Sequence, residues 1–502
     1  MHDFSLYDVF KRNGSLFRDR TALVWEGGRM TFRQLLDEVD ALAAGFAGLG
    51  IERGDRLAVL ANNHFRYFSV FGAAARLGST VVLLNWRLSD DEIRYILSDA
   101  GPSLLLVDST HGERAVGLVD GTPLAGKLFG LDATAGRRRS LDDLMEAQAV
   151  DDPRGGGPDP FCIIYTAAVA GRPRGAVLSQ ANLVYSNLQT LATLGLRQDD
   201  AYLDMLPLFH ITGLNLALGV FQAGGRNGIV EKFDPSEALR WVEAEKMSVL
   251  GTFPPILSRI LDAQAKEPRD LSSLRHVVGL DAPDVIDALE AKTAATFWTL
   301  YGQTETSGLV TLGPARNRRG SAGRQGMITA YRLLDEDGGD VPTGGKGEIV
   351  VRGPLVFQGF WKPGGQLDTS TFKDGWHHTG DLGSMDEDGF LFFGGRKPEK
   401  ELIKPGGENV YPAEVEAVIL EHPSVADVSV IGVPDPEFGE GVKAVCVLKL
   451  GSEATGAEIA EFVASRIARY KKPRHVEFVA SLPKTKAGLT DREAVKKMHG
   501  GI

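Results

Sequence analysis

The chain has 502 residues, which is too long for one ordinary hydrophobic core, so its length predicts two or more domains. Hydrophobic residues make up 43% and charged residues 24% of the chain, as in ordinary soluble globular proteins. A net charge of −11 argues against nucleic acid or an anionic membrane as a partner, because binding many phosphates requires surplus Lys and Arg.

The N-terminus and the cysteines indicate the compartment. Residues 1–14 lack the apolar core of a signal peptide, and no stretch approaches the roughly 20 apolar residues of a membrane span. Cys162 and Cys446 each lie in an apolar run, so we expect core residues rather than a disulfide, as suits a reducing compartment. The sequence therefore predicts a cytoplasmic protein without a membrane span, and it leaves a monomer and a homodimer open.

Predicted helices and strands alternate in the first third of the chain. Residues 31–50 predict an amphipathic helix, because Thr31 and Gln34 match a capping box and apolar residues recur at helical spacing. The segment DDEIRYILSDA predicts a second helix, and short apolar runs predict strands at 56–61, 80–85, 103–108 and 161–166. Strands that alternate with helices indicate a parallel sheet covered by helices.

The pattern changes after residue 340, where glycines separate short strands such as GEIVVRGPLV, as is typical of a small antiparallel or barrel-like unit. The last hundred residues combine strand-like runs with a predicted helix over 456–469. The sequence thus predicts an α/β fold: a large N-terminal domain of helix-covered sheets plus a small barrel-like subdomain, and a small mobile α+β C-terminal domain. We place these domains at residues 1–395 and 396–502.

The loop YTAAVAGRPRG, residues 165–175, follows a predicted strand and precedes AVLSQANLVYSNL, a predicted helix. Backbone amides in such a loop and the helix N-terminus can cradle phosphate. Gly171 and Gly175 allow close backbone approach, and Arg174 supplies a fixed positive charge. Taken alone, an ordinary glycine-containing turn between a strand and a helix is an equally good interpretation.

Two later segments carry more specific chemistry. YGQTETSG, residues 301–308, offers Tyr301 to stack on a base, and Thr304 and Glu305 as oxygen ligands for a hard cation. In GWHHTGDLG, Asp381 lies in a predicted tight turn flanked by glycines and is suited to accept hydrogen bonds from a ribose. Arg396 follows in GRKPEKELIKPGGENVYPAEVE, which adds a glycine-rich turn.

In this order, the motifs resemble the adenylate-forming superfamily of acyl-CoA synthetases, peptide-synthetase adenylation domains and luciferases, and most closely its acyl-CoA synthetase branch. The resemblance covers nearly the whole chain, including PLFHITGLN, YGQTETSG, GWHHTGDLG, GGENVYPAEVE and VIGVPDPEFGE. It implies that a carboxylate attacks the α-phosphate of Mg²⁺-bound ATP to give an acyl-adenylate and pyrophosphate, after which the CoA thiol displaces AMP. It also implies that the C-terminal domain swings about a hinge just after the ribose-binding arginine.

The resemblance also implies the role of individual residues. Catalysis is assigned to Thr304, Glu305 and His210, with Glu305 as the Mg²⁺ ligand, and the acyl pocket to His210, Gly213 and Leu214. The residues implied to bind ATP or AMP, or to face CoA in the second step, are Thr166, Gly171, Arg174, Leu280, Asp281, Tyr301, Gly302, Gln303, Thr304, Asp381, Arg396, Gly406, Gly407, Glu408 and Asn409.

The phosphate loop departs from the family pattern, which is YTSGTTGxPKG. Residues 167–170 are Ala, Ala, Val and Ala in place of Ser, Gly, Thr and Thr, so hydrogen-bond donors to the β- and γ-phosphates are missing. Arg174 replaces a lysine, which keeps the charge but alters its geometry. Slow adenylation is the minimum expectation.

The C-terminal domain departs from the family pattern twice. Leu489 stands where the family has its adenylating lysine, and a leucine cannot neutralise charge on the α-phosphate. Lys484 and Lys486, on the same loop, are candidate substitutes. The hinge segment is about two residues longer than usual, which places the pivot between Pro398 and Lys400.

Two functional classes remain open. One is a CoA ligase that forms an acyl-CoA thioester from a fatty or aromatic acid, ATP and CoA. The other is an adenylation-deficient relative that acts directly on acyl-CoA, as a thioesterase, in an AMP-dependent reverse reaction or as a binding module. Leu280 and Asp281 stand where relatives often have Gly or Ala, which predicts a shorter acyl cavity for a small or cyclic acid unless the loop is shifted.

Overall fold

The structure is a computed structural model that describes residues 4–132, 139–145, 155–166, 172–397, 401–484 and 490–501. Its α-helices are α1 (Leu6–Leu16), α2 (Phe32–Gly48), α3 (Arg66–Leu77), α4 (Asp90–Ala100), α5 (Gly112–Val119), α6 (Gln180–Leu194), α7 (Ile211–Ala223), α8 (Pro235–Ala244), α9 (Ile256–Lys266), α10 (Pro283–Lys292), α11 (Pro412–Leu420), α12 (Gly456–Ala464) and α13 (Arg492–His499). Its β-strands are β1 (Thr21–Trp25), β2 (Gly28–Thr31), β3 (Arg56–Leu60), β4 (Thr80–Leu83), β5 (Leu104–Val107), β6 (Leu128–Gly130), β7 (Pro160–Thr166), β8 (Arg174–Ser179), β9 (Ala201–Asp204), β10 (Arg226–Ile229), β11 (Val249–Thr252), β12 (His276–Gly279), β13 (Thr296–Tyr301), β14 (Thr311–Pro314), β15 (Arg324–Gln325), β16 (Ala330–Leu334), β17 (Gly347–Arg352), β18 (Gly359–Trp361), β19 (Leu367–Asp368), β20 (Phe372–Lys373), β21 (Trp376–Met385), β22 (Leu391–Arg396), β23 (Val425–Asp435), β24 (Gly439–Leu448) and β25 (His475–Phe478).

Local capping explains where the two helices predicted near the N-terminus begin. At the start of α2, the Thr31 hydroxyl accepts from the backbone N–H of Gln34 at 3.2 Å, and the Gln34 side chain accepts from the N–H of Thr31 at 2.8 Å. Ser89 and Glu92 form the same box at the start of α4. These contacts satisfy N–H groups that a helix start leaves unpaired, so both predictions are confirmed.

Two large sheets form the body of the N-terminal domain. One has the strand order β15-β14-β13-β12-β11-β9-β10-β1-β2, and the other has the order β19-β18-β8-β7-β4-β3-β5-β6. In the first sheet the strands from β13 to β1 are parallel and both edges are antiparallel. In the second sheet the strands from β7 to β6 are parallel and those from β19 to β7 pair antiparallel. The largest apolar cluster joins buried side chains of both sheets with side chains of α1, α2, α3, α6 and α7. The predicted helix-covered sheets are thereby confirmed.

The remaining strands form two smaller sheets. An antiparallel sheet combines β16, β17, β20, β21 and β22, and it follows the point at which the sequence pattern changes. The C-terminal sheet has the order β23-β24-β25 and packs with α11, α12 and α13. The predicted α/β class with a small α+β C-terminal domain is confirmed, whereas the boundary at residues 395 and 396 stays a prediction.

Three local predictions were wrong because contacts distant in sequence decide the conformation. Residues 174–179 form strand β8, paired with β7, so the loop before them leads into a strand rather than a helix. Asp381 lies within β21, opposite Arg396 of β22, and not in a tight turn. The helix predicted over 456–469 ends at Ala464, after which the chain packs Ala468 into an apolar cluster of the N-terminal domain.

Both cysteines are free and buried, as predicted. Among the described residues, no helix has the length and apolar character needed to cross a membrane.

Candidate active site

Three predicted nucleotide-binding residues bind the carboxylate of a fourth, Asp381, which is 1% exposed. Its Oδ2 accepts from the Tyr301 hydroxyl at 2.9 Å and from Gln303 Nε2 at 2.6 Å, and its Oδ1 accepts from Arg396 Nε at 2.8 Å. Strand β13 delivers Tyr301, and the pairing of β21 with β22 places Arg396 opposite Asp381. We call these four residues the Asp381 cluster. It combines an acceptor and charge-assisted donors in fixed positions, as recognition of hydroxyl groups requires.

An aromatic side chain that the sequence analysis missed lies beside this cluster. The rings of Phe393 and Tyr301 are stacked at 6.3 Å with an interplanar angle of 28°, and the Arg396 guanidinium lies 5.6 Å from the Phe393 ring. Phe393 is 47% exposed although it is large and apolar. An exposed ring next to hydroxyl-binding groups can stack on a planar base. The sequence offered one indication, an aromatic residue three positions before Arg396.

The turn at residues 301–308 holds Thr304 and Glu305 at its surface. Gly302 packs directly against the backbone of Gly308, where a Cβ atom would lie 2.2 Å from the carbonyl oxygen, so only glycine fits. The backbone carbonyl of Glu305 accepts from the N–H of Phe357 at 2.8 Å, which ties the turn to the segment after β17. The hydroxyl of Thr304 and the carboxylate of Glu305 are both hard oxygen donors, the type that Mg²⁺ prefers.

Glu408 forms a second cluster, and this one joins the two domains. Its Oε1 contacts His210 Nε2 at 3.2 Å and accepts from Arg87 Nη1 at 2.7 Å, while its Oε2 accepts from Asn85 Nδ2 at 3.2 Å. Burial alone would raise the pKa of Glu408, but His210 and Arg87 lower it to about 2. We call these four residues the Glu408 cluster. It brings the predicted CoA-facing segment directly onto His210 of the predicted acyl pocket.

The predicted residues around Glu408 adopt conformations that need glycine. Gly406 and Gly407 have φ angles of +60° and +87°, and they lie against the side chains of Phe438 and Phe253. Asn409 follows them, half-buried, just before the backbone bridge between Ile403 and Val410.

Lys404, an exposed residue, was also missed by the sequence analysis. Desolvation and the positive charge of Arg396 lower the pKa of Lys404 to about 8, while Asp381, Glu440 and Glu305 act in the opposite direction. The charges that act on Lys404 thus include those of residues predicted to bind nucleotide and metal. The sequence contained this residue directly before PGGEN, but only the folded arrangement of the two domains reveals its surroundings.

A small cavity lies beside the residues predicted to border the acyl group. Its volume is about 10 Å³, roughly the room one water molecule needs, and it is lined by Thr190, Thr212, Asn215, Leu216, Val278, Leu300, Gly308, Leu309 and Leu312. Gly213 packs against the Pro207 carbonyl, and Leu214 is fully buried in the main core, so the described cavity is lined by their neighbours on α7. The amide of Asn215 is already engaged, since it donates to Ser186 and accepts from Thr190.

Leu280 and Asp281 follow the carboxyl end of β12. Leu280 is 37% exposed, and its backbone N–H donates to the Thr252 carbonyl at 3.3 Å. Burial raises the pKa of Asp281 to about 6, although its Oδ1 accepts from the Ala282 N–H at 2.9 Å. None of the ion pairs within the described residues includes Asp281.

The phosphate loop is described only at its two ends. Thr166 and Arg174 face each other across the β7–β8 pair, and the Arg174 guanidinium lies 3.7 Å from the ring of Phe360. Gly171 and residues 167–170 lie outside the described residues, as do Lys486 and Leu489. Lys484 is engaged elsewhere, because its ammonium donates to Asp427 at 2.5 Å and to Thr490 at 2.8 Å.

Sequence profiles identify the class of protein. The profile of AMP-binding enzymes matches residues 10–361, and the profile of the AMP-binding enzyme C-terminal domain matches residues 414–489. The chain therefore belongs to the AMP-binding enzyme family, and its relatives place it in the acyl-CoA synthetase branch.

Individual relatives are similar over their full length. Indoleacetate–CoA ligase of Aromatoleum aromaticum is 34% identical over 505 residues, covering 98% of each chain. Among solved structures, one is a double mutant of o-succinylbenzoate CoA synthetase from Bacillus subtilis bound to an analogue of its product. It has a TM-score of 0.85 at 26% identity, and the match covers 99% of each chain.

The same Bacillus enzyme in complex with its acyl-adenylate intermediate has a lower TM-score, 0.70, again covering 99% of each chain. By TM-score, the present structure is more similar to the complex with the product analogue.

Proposed function

We propose that this protein is a carboxylate–CoA ligase that works through an acyl-adenylate. In the first step, a carboxylate oxygen of the acid bonds to the α-phosphorus of ATP, and the bond to the β-phosphate breaks to release pyrophosphate. In the second step, the CoA sulfur bonds to the acyl carbon, the bond to AMP breaks, and the thiol proton passes to solvent. The observation that carries this proposal is the presence of both the Asp381 cluster and the Glu408 cluster in one chain.

The Asp381 cluster supports the nucleotide role. Asp381 accepts from ribose hydroxyls, Arg396 donates to them, and Tyr301 with Phe393 forms the aromatic wall for adenine. Thr304 and Glu305 are the residues that would hold Mg²⁺, since their oxygens fit a hard cation. When bound, Mg²⁺ supplies positive charge to the phosphates, while the side chains of this chain orient the nucleotide.

The Glu408 cluster supports the thioester role. In this arrangement the segment 406–409 lies beside His210, and the pKa of Glu408 is far below neutral, so its carboxylate stays charged and bound to Arg87. The segment is therefore held in a single position while CoA approaches. The acyl carbon must lie near His210 for the second step to occur there.

We propose that adenylation is the slower half-reaction. Residues 167–170 carry no hydroxyls and Leu489 no ammonium, and the loss of one preorganised donor typically costs about 2.7–4 kcal/mol, or roughly 10²–10³ in rate. Lys404, on which the charges of Arg396 and Glu305 act, is a candidate source of positive charge for residual adenylation.

For the acid, we propose a compact aromatic carboxylate. The support comes from the relatives and not from the cavity beside the 301–308 turn, because about 10 Å³ is room for a single water molecule and not for an aromatic ring. The names of the relatives, an indoleacetate ligase and an o-succinylbenzoate synthetase, agree with an aromatic acid.

The test is a panel of benzoates, phenylacetates, cinnamates and medium-chain fatty acids, each incubated with ATP, Mg²⁺ and CoA. Pyrophosphate release and acyl-CoA formation are followed by coupled assay and mass spectrometry. We expect thioester only when ATP is present, with aromatic acids ahead of fatty acids. Hydrolysis of acyl-CoA in the absence of nucleotide, with no pyrophosphate from any acid, would contradict the ligase and favour the second functional class.

The location and assembly of the protein also remain proposals. A cytoplasmic location is supported by two cysteines that are free and buried. Light scattering coupled to size-exclusion chromatography distinguishes a monomer from a homodimer, both of which the sequence leaves open.

A further inference from the structure

Three charged side chains are buried together at the contact between the domains. The Lys471 ammonium donates to Glu92 and, at 2.6 Å, to Glu414. The side chain of Lys471 is 1% exposed, and those of Glu92 and Glu414 are 9% and 10% exposed. We call these three residues the Lys471 triad. It shares no residue with either cluster of the candidate active site.

The triad joins the two domains. Glu92 belongs to α4 of the N-terminal domain, whereas Glu414 lies on α11 and Lys471 follows α12 in the C-terminal domain. The second oxygen of Glu92 accepts from the backbone N–H of Ala468 at 3.1 Å, which adds another contact between the domains.

The chain around Lys471 is shaped for this contact. Helix α12 ends at Ala464, and the following residues place Ala468 in the apolar cluster that contains Ile93 and Leu97 of α4. Tyr470 packs against that cluster and also against the apolar cluster of the C-terminal domain. Residues 468–471 therefore insert into the N-terminal domain as one short segment.

Burial makes the triad sensitive to the domain arrangement. Burying a charge costs desolvation free energy, and contact with an opposite charge offsets that cost. The three side chains can therefore stay buried and charged only while they remain in contact. Both carboxylates favour a charged lysine here, since they raise the pKa of Lys471 against the effect of its burial. When the domains separate, water solvates each charge, and no other position of Lys471 is favoured in the same way.

One segment of the N-terminal domain connects the triad with the Glu408 cluster. Asn85 and Arg87 bind Glu408, and Glu92 binds Lys471, so residues 85–92 contact the C-terminal domain at two points. Fixing one point restricts the other, because both lie on the same short stretch of chain. We propose that Lys471, held by Glu92 and Glu414, is a positioning residue that keeps the C-terminal domain in the arrangement for the thioester step and acts through the contact of Glu408 with His210.

This inference rests on the proposed ligase function, so its test separates the two half-reactions. The variants are Glu92→Gln and Lys471→Met. Glutamine retains the capping box with Ser89 while removing the charge, so Glu92→Gln preserves the start of α4. Lys246→Met is the control, because Lys246 forms an exposed ion pair with Asp270.

Thioester formation is measured from supplied acyl-adenylate and CoA, and adenylation from pyrophosphate release without CoA. We expect both triad variants to lower the thioester rate about tenfold or more while pyrophosphate release changes by less than about twofold. The control should change neither rate, and Lys471→Arg should recover part of the thioester rate because it restores the charge. Equal loss in both half-reactions, or no loss in the thioester step, would overturn the proposal.

A second readout needs no catalytic activity. Dyes on Asp337→Cys and Glu453→Cys, both exposed positions on different domains, report the distance between the domains by energy transfer. Lys471→Met should broaden the distance distribution of the parent protein, and Lys246→Met should not. An unchanged distribution would overturn the positioning role. Failure of the parent to adenylate any acid would count against the proposed function alone, since the distances still test the triad.

Discussion

The Asp381 cluster and the Glu408 cluster both consist of a buried carboxylate with an arginine, but they differ in how they are assembled. Every residue of the Asp381 cluster lies at or before residue 396, on β13, β21 and β22 or in the turn after β13, so this cluster needs no residue beyond β22. Glu408 comes from the C-terminal domain and its partners from the N-terminal domain, so this cluster exists only when the domains meet. Under the proposed function, nucleotide binding therefore relies on the Asp381 cluster, whereas the thioester step relies on how the two domains meet.

The strongest test removes the carboxylate common to both steps. Asp381→Ala leaves Arg396 and Gln303 without their acceptor, so we expect AMP affinity to fall about 100-fold and both half-reactions to fall with it. Calorimetry measures AMP binding. Asp340→Ala is the control, because Asp340 pairs with Arg332 on the exposed face of the same small sheet. Unchanged AMP affinity in Asp381→Ala would refute the nucleotide role of the cluster.

A gain-of-function variant tests whether the missing lysine at position 489 limits adenylation. Leu489→Lys restores an ammonium at the family's adenylating position, and we expect pyrophosphate release in a single turnover to rise about tenfold or more. The thioester half-reaction should hardly change, because it uses the Glu408 cluster. A folded variant with the parent's rate would show that the altered loop at 167–170, rather than the missing lysine, limits adenylation.

Removing the charge of Glu408, which lies at the contact between the domains, should slow thioester formation and not adenylation. Glu408→Gln weakens the bonds to Arg87 and His210, and we expect thioester formation from supplied acyl-adenylate to fall about tenfold while adenylation stays within about twofold. Glu421→Gln, on the exposed surface of the same domain, is the matched control. Equal loss in both steps would show that Glu408 maintains the fold rather than one arrangement.

The smallest effect concerns a buried carboxylate that lacks a positive partner among the described residues. Burial raises the pKa of Asp281 to about 6 in the folded protein, so the folded state holds its proton where the unfolded state, with a pKa near 3.9, has lost it. Stability therefore decreases as pH rises from about 4 to 6, and the penalty is complete above that range.

Asp281→Asn removes this penalty while retaining the acceptor for the Ala282 N–H. We expect a gain of about 1–2 kcal/mol at pH 8 and little change at pH 4, measured by chemical denaturation at both values. An equal effect at the two pH values would exclude titration of Asp281 as the cause.

Sequence alone predicted the features that local chemistry determines. Thr31 and Gln34 specify the start of α2 within one helical turn, and the motif at 301–308 selected Tyr301 and Gln303, which both bind Asp381. Their role toward a nucleotide stays a prediction. The predictions from sequence were wrong where a residue's contacts come from distant parts of the chain. Asp381 looked like a turn residue because its strand partner lies at 391–396.

Lys404, Phe393 and Lys471 were missed for the same physical reason. No local motif marks any of the three residues, because the residues that they contact are distant in sequence and close only in the folded protein. Lys471 meets Glu92 across 379 positions of sequence, a pairing that no local pattern encodes.

The antiparallel pairing of β7 and β8 has a practical consequence for protein engineering. Thr166 and Arg174 stand in register at the ends of two hydrogen-bonded strands, and the Tyr165 hydroxyl donates to Asp99 at 2.5 Å, so both stems of the loop are anchored. The residues between them can be exchanged as a single cassette without moving a helix. This chain is therefore a suitable host in which phosphate-binding sequences can be swapped and compared on one unchanged scaffold.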